Sequence, residues 1–219
     1  MDPVRATDRL ARTAATLGRC AAGRKGPAAA RSLPALWFVT DPIRTPDPAA
    51  VAARLPRGAG VIFRAFGAAD AVHAARRLAR IAAARGLVLL VGADEALAVA
   101  AGAHGLHLPE RMIARAPRLR ARRPAWIVTA AAHGPAALAL AARNGIDAAL
   151  VSAVFPSRSP SAGAPIGPVR LAGLARRAGL PVIALGGVDA KTAPRLIGTG
   201  AAGLAAVDGF SGGQKGIRT

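Results

Sequence analysis

The sequence predicts an α/β protein folded as a single (β/α)8 barrel, and three observations support this fold class. Eight apolar, strand-like runs occur between residues 36 and 207 of the 219-residue chain. Stretches rich in Ala, Leu and Arg separate most of these runs, as expected of a parallel sheet covered by helices. The seventh run leads into Gly186 and Gly187, followed by a helical stretch and the eighth run, which is typical of the last quarter of such a barrel.

Each predicted strand is a continuous apolar run, as expected when both faces of a parallel sheet are covered. The strands cover residues 36–40, 60–66, 87–92, 105–108, 126–130, 148–155, 181–185 and 203–207. The helices cover residues 70–85, 94–101, 135–143, 169–178 and 190–198, and helix-stopping glycines follow several of them. A doubly wound open sheet is the alternative, because a single sequence does not fix the number of strands.

The two ends of the chain depart from a complete barrel. Residues 1–33 form an Ala/Arg-rich extension, in which Leu10, Ala14 and Leu17 recur at helical spacing, so that it is either a helix over residues 6–22 or a disordered segment. The barrel covers residues 34–210, and residues 211–219 form a Gly-rich, flexible tail too short for a full closing helix. We expect the N-terminal helix, or a partner subunit in a homo-oligomer, to cover the side left open.

The formal net charge of +19 raises the question of a nucleic-acid partner. The basic residues are spread along the whole chain and stacking aromatics are scarce, so nucleic-acid binding is not predicted. The densest cluster, residues 115–123, is interpreted as the solvated face and end of one helix, with a patch for anionic substrates or RNA as the alternative. With one cysteine and no apolar run of membrane-spanning length, a cytoplasmic protein is expected.

Active sites of (β/α)8 barrels lie at the carboxyl ends of the strands, so the residues at these ends are the candidates for chemistry. Glycines let backbone N–H groups approach an anion closely, so the ends of the seventh and eighth strands predict a phosphate site. A tight turn alone is the other explanation of the two adjacent glycines. The candidates are Thr40, Arg64, His107, His133, Ser157, Ser159, Gly186, Gly187, Asp208 and Gly209.

An ordered set of motifs over residues 35–209 resembles the thiamine-phosphate synthase and TenI family. The motifs are Trp-Phe-Val-Thr-Asp at 37–41, Gly-Ala-His-Gly-Leu-His-Leu at 102–108, Val-Phe-Pro-Ser-Arg-Ser at 154–159, Ile-Gly at 166–167 and Pro-Val-Ile-Ala-Leu-Gly-Gly at 181–187. The resemblance implies a barrel that binds a thiazole phosphate in thiamine (vitamin B1) biosynthesis. Synthases of the family join it to hydroxymethylpyrimidine diphosphate with magnesium and release diphosphate. TenI-type tautomerases instead move a proton on a carboxythiazole phosphate without a metal.

The sequence departs from the synthase pattern at the positions that meet diphosphate and magnesium. Around the retained Arg64, the family's Gln, Glu and Lys are replaced. The substituted positions are Ile62, Ala65, Phe66, Gly92 and Ala93 (for Asn-Asp), Met112 (for an acid), Ala131 (for Ser) and Pro160 (for Lys). Because magnesium prefers oxygen ligands, neither a metal nor another cofactor is expected, unless Asp94 and Glu110 take over the lost ligand positions.

The matching residues favour the thiazole-phosphate half of the family's site. His133 matches the acid/base histidine of the tautomerases, and the alternative is a partly buried histidine at a helix start. His107 suits packing or hydrogen bonding at the barrel mouth, and the carboxylate of Asp208 would repel phosphate unless it points away. Three hypotheses follow: a metal-independent tautomerase, a synthase with rearranged contacts, and a non-catalytic protein that binds thiazole phosphate or thiamine phosphate.

Overall fold

The computed structural model describes residues 2–22, 32–159 and 163–210. Within these residues, eight parallel strands form a closed barrel in chain order, each paired with its sequence neighbours and β8 with β1. The strands are β1 Leu36–Val39, β2 Gly60–Phe63, β3 Val88–Gly92, β4 Gly105–Leu108, β5 Ile127–Ala132, β6 Ala148–Val151, β7 Val182–Ala184 and β8 Gly203–Ala206. The predicted (β/α)8 fold is confirmed, and closure of the sheet rules out the doubly wound alternative.

The helices lie outside the barrel. They are α1 Pro3–Ala22, α2 Pro48–Ala52, α3 Ala71–Arg85, α4 Glu95–Ala101, α5 Ala116–Arg122, α6 Pro135–Arg143 and α7 Gly167–Arg177, with 3-10 helices at Glu110–Arg115, Ala193–Leu196 and Asp208–Phe210. Gly86 ends α3 in the left-handed conformation, as the helix-stop pattern predicted. Across the described residues, the structure contains no helix with the length and apolar character of a membrane span.

Two apolar layers make up the core. Inside the barrel, Trp37, Ile62 and Leu90 are fully buried with side chains from the other strands. The Trp37 ring lies against Gly60, where an added Cβ would come within 2.1 Å of the ring, so only glycine leaves room for the indole. The second layer lies between the strands and the surrounding helices and uses the other face of each strand, which explains why the strands read as continuous apolar runs.

Helix α1 occupies the place of a closing helix. It contacts β8, β1 and the 3-10 helices after β7 and β8, and buries Leu10, Ala14 and Leu17 against them. Gly18, near its end, lies beside Ala35 at the start of β1, whereas Ala6, near its start, lies at the mouth where the strands end. The helix therefore runs antiparallel to the strands, as outer helices of this fold do. The predicted tail and the linker before Pro34 lie mostly outside the described residues.

The last repeat differs from the sequence prediction. Residues 190–198 were expected to form a helix, but only the four residues of Ala193–Leu196 adopt a 3-10 turn. Pro194 lacks an N–H to donate, and Gly198 takes a positive φ of 85°, so an α-helix cannot continue here. The strands predicted over 60–66 and 148–155 also end early, and the residues after them form loops at the mouth.

A candidate active site at the carboxyl ends of the strands

A cavity of about 1250 Å³ opens at the carboxyl ends of the strands and is lined by residues that follow every strand. Nine of the ten predicted site residues line it: Arg64, His107, His133, Ser157, Ser159, Gly186, Gly187, Asp208 and Gly209. The tenth, Thr40, was expected at the mouth but is 3% exposed and lies outside the lining. Its hydroxyl accepts the backbone N–H of Arg64 and its carbonyl accepts Arg64 Nε at 2.7 Å, so it positions that side chain.

The turn after β7 requires both of its glycines. Gly186 and Gly187 have positive φ values of 92° and 61°, in the region that disfavours side chains. A Cβ on Gly187 would lie 2.3 Å from the carbonyl oxygen of Pro156, and one on Gly186 would lie 2.7 Å from Ala153. The hydroxyl of Thr192 donates to the Gly187 carbonyl at 2.8 Å and so stabilises the turn. The glycines thus make a tight turn and leave bare backbone at the cavity surface.

The loop after β6 meets the end of β8 across the cavity rim. Arg158 forms an ion pair with the carboxylate of Asp208. Because this pair neutralises the carboxylate, the repulsion expected between Asp208 and a phosphate is reduced. Ser157 lies in the same loop, and its hydroxyl accepts the N–H of Ser159 at 3.3 Å while its own proton remains available to a ligand.

His133 follows β5 and has a defined orientation. Its Nδ1 lies 3.1 Å from the carbonyl oxygen of Ser152, which can only accept, so Nδ1 carries the proton. In the neutral imidazole, Nε2 is then the unprotonated nitrogen that can take a proton from a ligand. The backbone N–H of His133 donates to Glu110 at 2.8 Å, which fixes the start of the loop.

His107 differs from His133 in its surroundings. Burial, and secondarily the positive charge of Arg64, lowers the pKa of His107 to about 4. Its Nδ1 lies 3.0 Å from the hydroxyl of the fully buried Thr129 on the neighbouring strand. The imidazole at this position is neutral and hydrogen-bonded, and the packing and hydrogen-bonding role of His107 stays a prediction.

Arg64 is held by a cluster that the sequence did not reveal. Asp41 pairs with Arg44 at 2.9 Å and with Arg64 at 3.3 Å. Burial alone would raise the pKa of Asp41, but the hydrogen bonds and charge of Arg44 lower it below its usual value. The Arg64 guanidinium also lies 5.0 Å from the ring centroid of Phe66, the residue that stands in place of the family's Lys.

The residues in the positions of the lost metal ligands do not fit magnesium. Gly92 and Ala93 line the cavity without side-chain oxygens. Of the two proposed substitutes, Asp94 caps α4 by accepting the N–H of Leu97, and Glu110 accepts that of His133. In the described part of the chain, no cluster of three or more His, Cys, Asp or Glu side chains is placed to hold a metal ion. Pro160 lies outside the described residues.

The Arg-rich segment at residues 115–123 divides between two roles. Arg120 pairs with Asp147 at 2.7 Å and Arg122 with Glu95 at 2.6 Å, while Arg123 lies over the Trp126 ring. Arg115 instead lines the cavity. Four further cavity cations were also missed as site residues, and only the strong positive charge of the chain hinted at them: Arg44, Arg111, Arg158 and Lys191.

The fold and the site define a (β/α)8 barrel protein with a basic cavity at the carboxyl ends of its strands. A family model described as thiamine monophosphate synthase matches residues 36–210. The chain belongs to this thiamine-phosphate synthase and TenI family, which acts in thiamine biosynthesis, and the resemblance stated from the sequence is confirmed.

Individual relatives agree with this assignment. The chain is 30% identical over 187 residues to a thiamine-phosphate synthase of Marinobacter nauticus, covering 83% of this chain and 84% of that protein. It is 36% identical over 141 residues to a thiamine-phosphate synthase of Thioalkalivibrio sulfidiphilus, covering 63% and 65%, just under two thirds of that relative's length. The structure of a thiamine phosphate pyrophosphorylase from Pyrococcus furiosus matches in fold with a TM-score of 0.69 at 20% identity, over 80% of this chain and 90% of that chain.

Proposed function

We propose that this protein binds a thiazole phosphate in the cavity and acts as a metal-independent thiazole tautomerase, with His133 as the acid/base group. The observation that carries the proposal is that an oriented, proton-accepting histidine and the turn at Gly186 and Gly187 line the same cavity. The family supplies the substrate class, and the site supplies a proton-transfer group, with no cluster of three or more metal-ligating side chains among the described residues.

The phosphate is proposed to bind where β6, β7 and β8 end. Gly186, Gly187 and Gly209 line the cavity there and expose backbone without side chains. Hydroxyl and guanidinium donors come from Ser157 and Arg158 in the β6 loop. Backbone amides and charge-assisted hydrogen bonds of this kind suit a phosphate group.

Proton transfer is proposed to pass through Nε2 of His133. This nitrogen removes the proton from one position of the partly saturated ring, leaving a delocalised anion, and the resulting imidazolium returns a proton at another position. The Ser152 carbonyl, which accepts the Nδ1–H, stabilises the charged imidazolium while it exists. The ring is isomerised with no net gain or loss of atoms, so neither metal nor cofactor is required.

The synthase reaction is the second candidate, because the relatives carry that name. A diphosphate leaving group needs several positive charges or a metal ion to stabilise it. Here the positions for metal and diphosphate hold Gly92, Ala93 and Phe66, and the nearby carboxylates of Asp94 and Glu110 bind backbone N–H groups. The loss of ligands at these positions favours the tautomerase, whereas Arg111, Arg115 and Lys191 in the same cavity are the charges that a synthase reaction would use instead.

Exchange of the thiazole ring proton tests the proposal. The measurement is NMR of the partly saturated tautomer of the carboxythiazole phosphate in deuterated buffer containing a chelator, which follows the loss of its ring proton as the ring isomerises. His133→Ala is expected to slow exchange by about 100-fold or more, the usual scale of general acid–base catalysis. His73→Ala, which removes an exposed histidine on α3, is the matched control and should leave the rate unchanged.

Two outcomes would contradict the proposal. Magnesium-dependent release of diphosphate from the pyrimidine and thiazole substrates would select the synthase. Tight binding of the thiazole phosphate without exchange or turnover would select a non-catalytic binding protein.

A further inference from the structure

We infer that the Thr129 hydroxyl holds His107 in one tautomer, with its Nε2–H directed into the cavity as a hydrogen-bond donor to the ring of the ligand. His107 then acts in the tautomerase as a second catalytic residue beside His133, and Thr129 is its positioning residue. The inference rests on the proposed function for the ligand and for the proton transfer. The tautomer itself follows from contacts within the protein.

His107 and Thr129 lie side by side on the inner wall of the barrel. His107 on β4 pairs in register with Thr129 on β5, and its Nδ1 lies 3.0 Å from the Thr129 hydroxyl. The preceding residues Leu106 and Val128 belong to the layer between strands and helices, so the next side chain on each strand faces inward. On the other side of His107, its register partner Gly92 has no side chain, which leaves the space beside the imidazole open.

The hydrogen-bonding needs of Thr129 decide the direction of this bond. The residue is fully buried, and in the described part of the chain its hydroxyl has no partner except Nδ1 of His107. If Nδ1 carried a proton and donated it, the hydroxyl would keep its own proton buried without an acceptor, which is costly. Donation from the hydroxyl to an unprotonated Nδ1 avoids this cost. The proton of the neutral imidazole therefore lies on Nε2.

The Nε2 atom of His107 is accessible from the cavity. Across residues 2–22, 32–159 and 163–210, no buried side-chain nitrogen lacks a hydrogen-bond partner. Within the same residues, the side chain of His107 bonds to Thr129 through Nδ1 alone, so its Nε2 is not buried, and the cavity that it lines is the space that it reaches. Burial of most of the ring, and secondarily the charge of Arg64, lowers the pKa of His107 to about 4, so this donor is uncharged at pH 7.

The two cavity histidines thus have opposite tautomers. The Ser152 carbonyl accepts the Nδ1–H of His133 and leaves its Nε2 as a proton acceptor. The Thr129 hydroxyl occupies Nδ1 of His107 and leaves an Nε2–H as a donor. One imidazole can remove a proton, and the other can stabilise the negative charge that this removal creates. The substrate class is therefore a ring with a removable proton and a conjugated acceptor atom.

The spacing of the two histidines suits one small ring. His107 lies level with Thr129, and His133 follows Thr129 by four residues. At about 3.3 Å per residue, this offset is about 13 Å along the direction of the strand. His107 accordingly lies at the floor of the cavity and His133 nearer to its rim. Two imidazole side chains with a five-membered ring between them can span this distance.

The donor acts on the anion that forms during proton transfer. When Nε2 of His133 removes the ring proton, the electron pair of the broken C–H bond spreads to the ring nitrogen. The Nε2–H of His107 donates a hydrogen bond to this nitrogen and keeps its proton. The His133 imidazolium then returns a proton to another ring position, and both histidines are neutral again.

Nitrogen NMR of the free protein tests the tautomer directly, because the chain contains only four histidines. With isotopically labelled histidine at a pH where the imidazoles are neutral, His107 should carry its proton on Nε2 and His133 on Nδ1. His104 is an internal reference for the Nε2–H form, since its Nδ1 accepts the N–H of Leu89 at 3.1 Å. Thr129→Val, which removes the hydroxyl at nearly constant shape, should give His107 a mixture of tautomers, and Thr129→Ser should restore Nε2–H.

Isomerisation of the partly saturated carboxythiazole phosphate tests the catalytic role. His107→Asn lacks a donor at the position of Nε2 and should lower kcat by about 100- to 1,000-fold, with a smaller change in KM, because the donor acts on charge that develops in the transition state. His107→Gln, whose amide can place an N–H near that position, should recover part of the loss. Thr129→Val should lower kcat by a smaller factor, and Thr129→Ser should recover it.

The outcomes separate this inference from the proposed function. A proton on Nδ1 of His107 in the wild type, or an unchanged tautomer in Thr129→Val, would overturn the inference. A folded His107→Asn protein with the kcat of the wild type would also overturn it. If the wild type catalyses no isomerisation, the proposed function fails. The tautomer of His107 and its response to Thr129→Val then decide by themselves whether the cavity contains this donor.

Discussion

The role of α1 as the closing helix of the barrel can be tested with Leu10→Ala. Leu10 is fully buried, and the face of α1 on which it lies packs against β8, β1 and the neighbouring 3-10 helices. The change removes three carbon atoms from this contact and leaves a cavity. If α1 is an integral layer of the fold, the loss must appear in the free energy of unfolding of the whole barrel.

The magnitude follows from the burial of the side chain. At about 0.8 kcal/mol per buried methylene, the lost transfer free energy is about 2.4 kcal/mol, and the cavity raises the total to about 3–5 kcal/mol. Leu17 is 1% exposed and lies two turns further on, about 10 Å along the helix. At this distance, the loss of stability from its truncation should add to that of Leu10→Ala. Leu10→Ala/Leu17→Ala would then cost at least about 6 kcal/mol, comparable to the entire stability of many domains.

The assay is urea unfolding followed by circular dichroism, with Val4→Ala as the matched control. Val4 is on the same helix but is 55% exposed, so its truncation should cost less than about 0.5 kcal/mol. A loss below about 1 kcal/mol in Leu10→Ala, similar to that of the control, would refute the closing role of α1. An unchanged m-value would show that the variant exposes the same surface area on unfolding as the wild type.

Three further predictions concern the site. The pKa of His107 is lowered to about 4, so the folded protein should lose up to about 3 kcal/mol of stability as pH falls from about 6.5 to 4. In His107→Asn, the free energy of unfolding measured in urea should depend less on pH over this range. Gly187→Ala should lower the thermal midpoint and abolish thiazole phosphate binding. The control Gly58→Ala is also at positive φ but has open space around it, so it should lower the midpoint less and leave binding intact. Equal effects of the two variants would contradict the tight-turn argument. Asp208→Asn should tighten thiazole phosphate binding several-fold in calorimetry by releasing Arg158 from its pair, and weaker binding would show that the carboxylate orients the ligand site.

The barrel was predictable because each strand carries its own signal. Runs such as residues 36–40 and 181–185 are apolar throughout, which is what burial on both faces requires. The pairing of β1 with β8 that closes the barrel could not be predicted residue by residue, because its register depends on tertiary packing that no local pattern encodes. The prediction of a helix at 190–198 was wrong. The Ala and Leu residues of this segment favour a helix, but Pro194 and Gly198 limit it to a short 3-10 turn.

The site was predictable in part, for a comparable reason. Residues directly after strands, such as His133 and Gly187, are placed at the cavity by the fold itself. Arg111 and Arg115 lie in a 3-10 helix and at its end, where the direction of each side chain depends on a turn that the sequence does not specify. Thr40 shows the opposite case, because it follows a strand directly yet turns inward to hold Arg64.

The central claim is that the cavity binds a thiazole phosphate without a metal ion. Its most direct test is calorimetry of the wild-type protein with thiazole phosphate and with thiamine phosphate, in chelator and again with magnesium. We expect thiazole phosphate to bind with the same affinity under both conditions. Binding that appears only with magnesium, or no binding of either compound, would contradict the account.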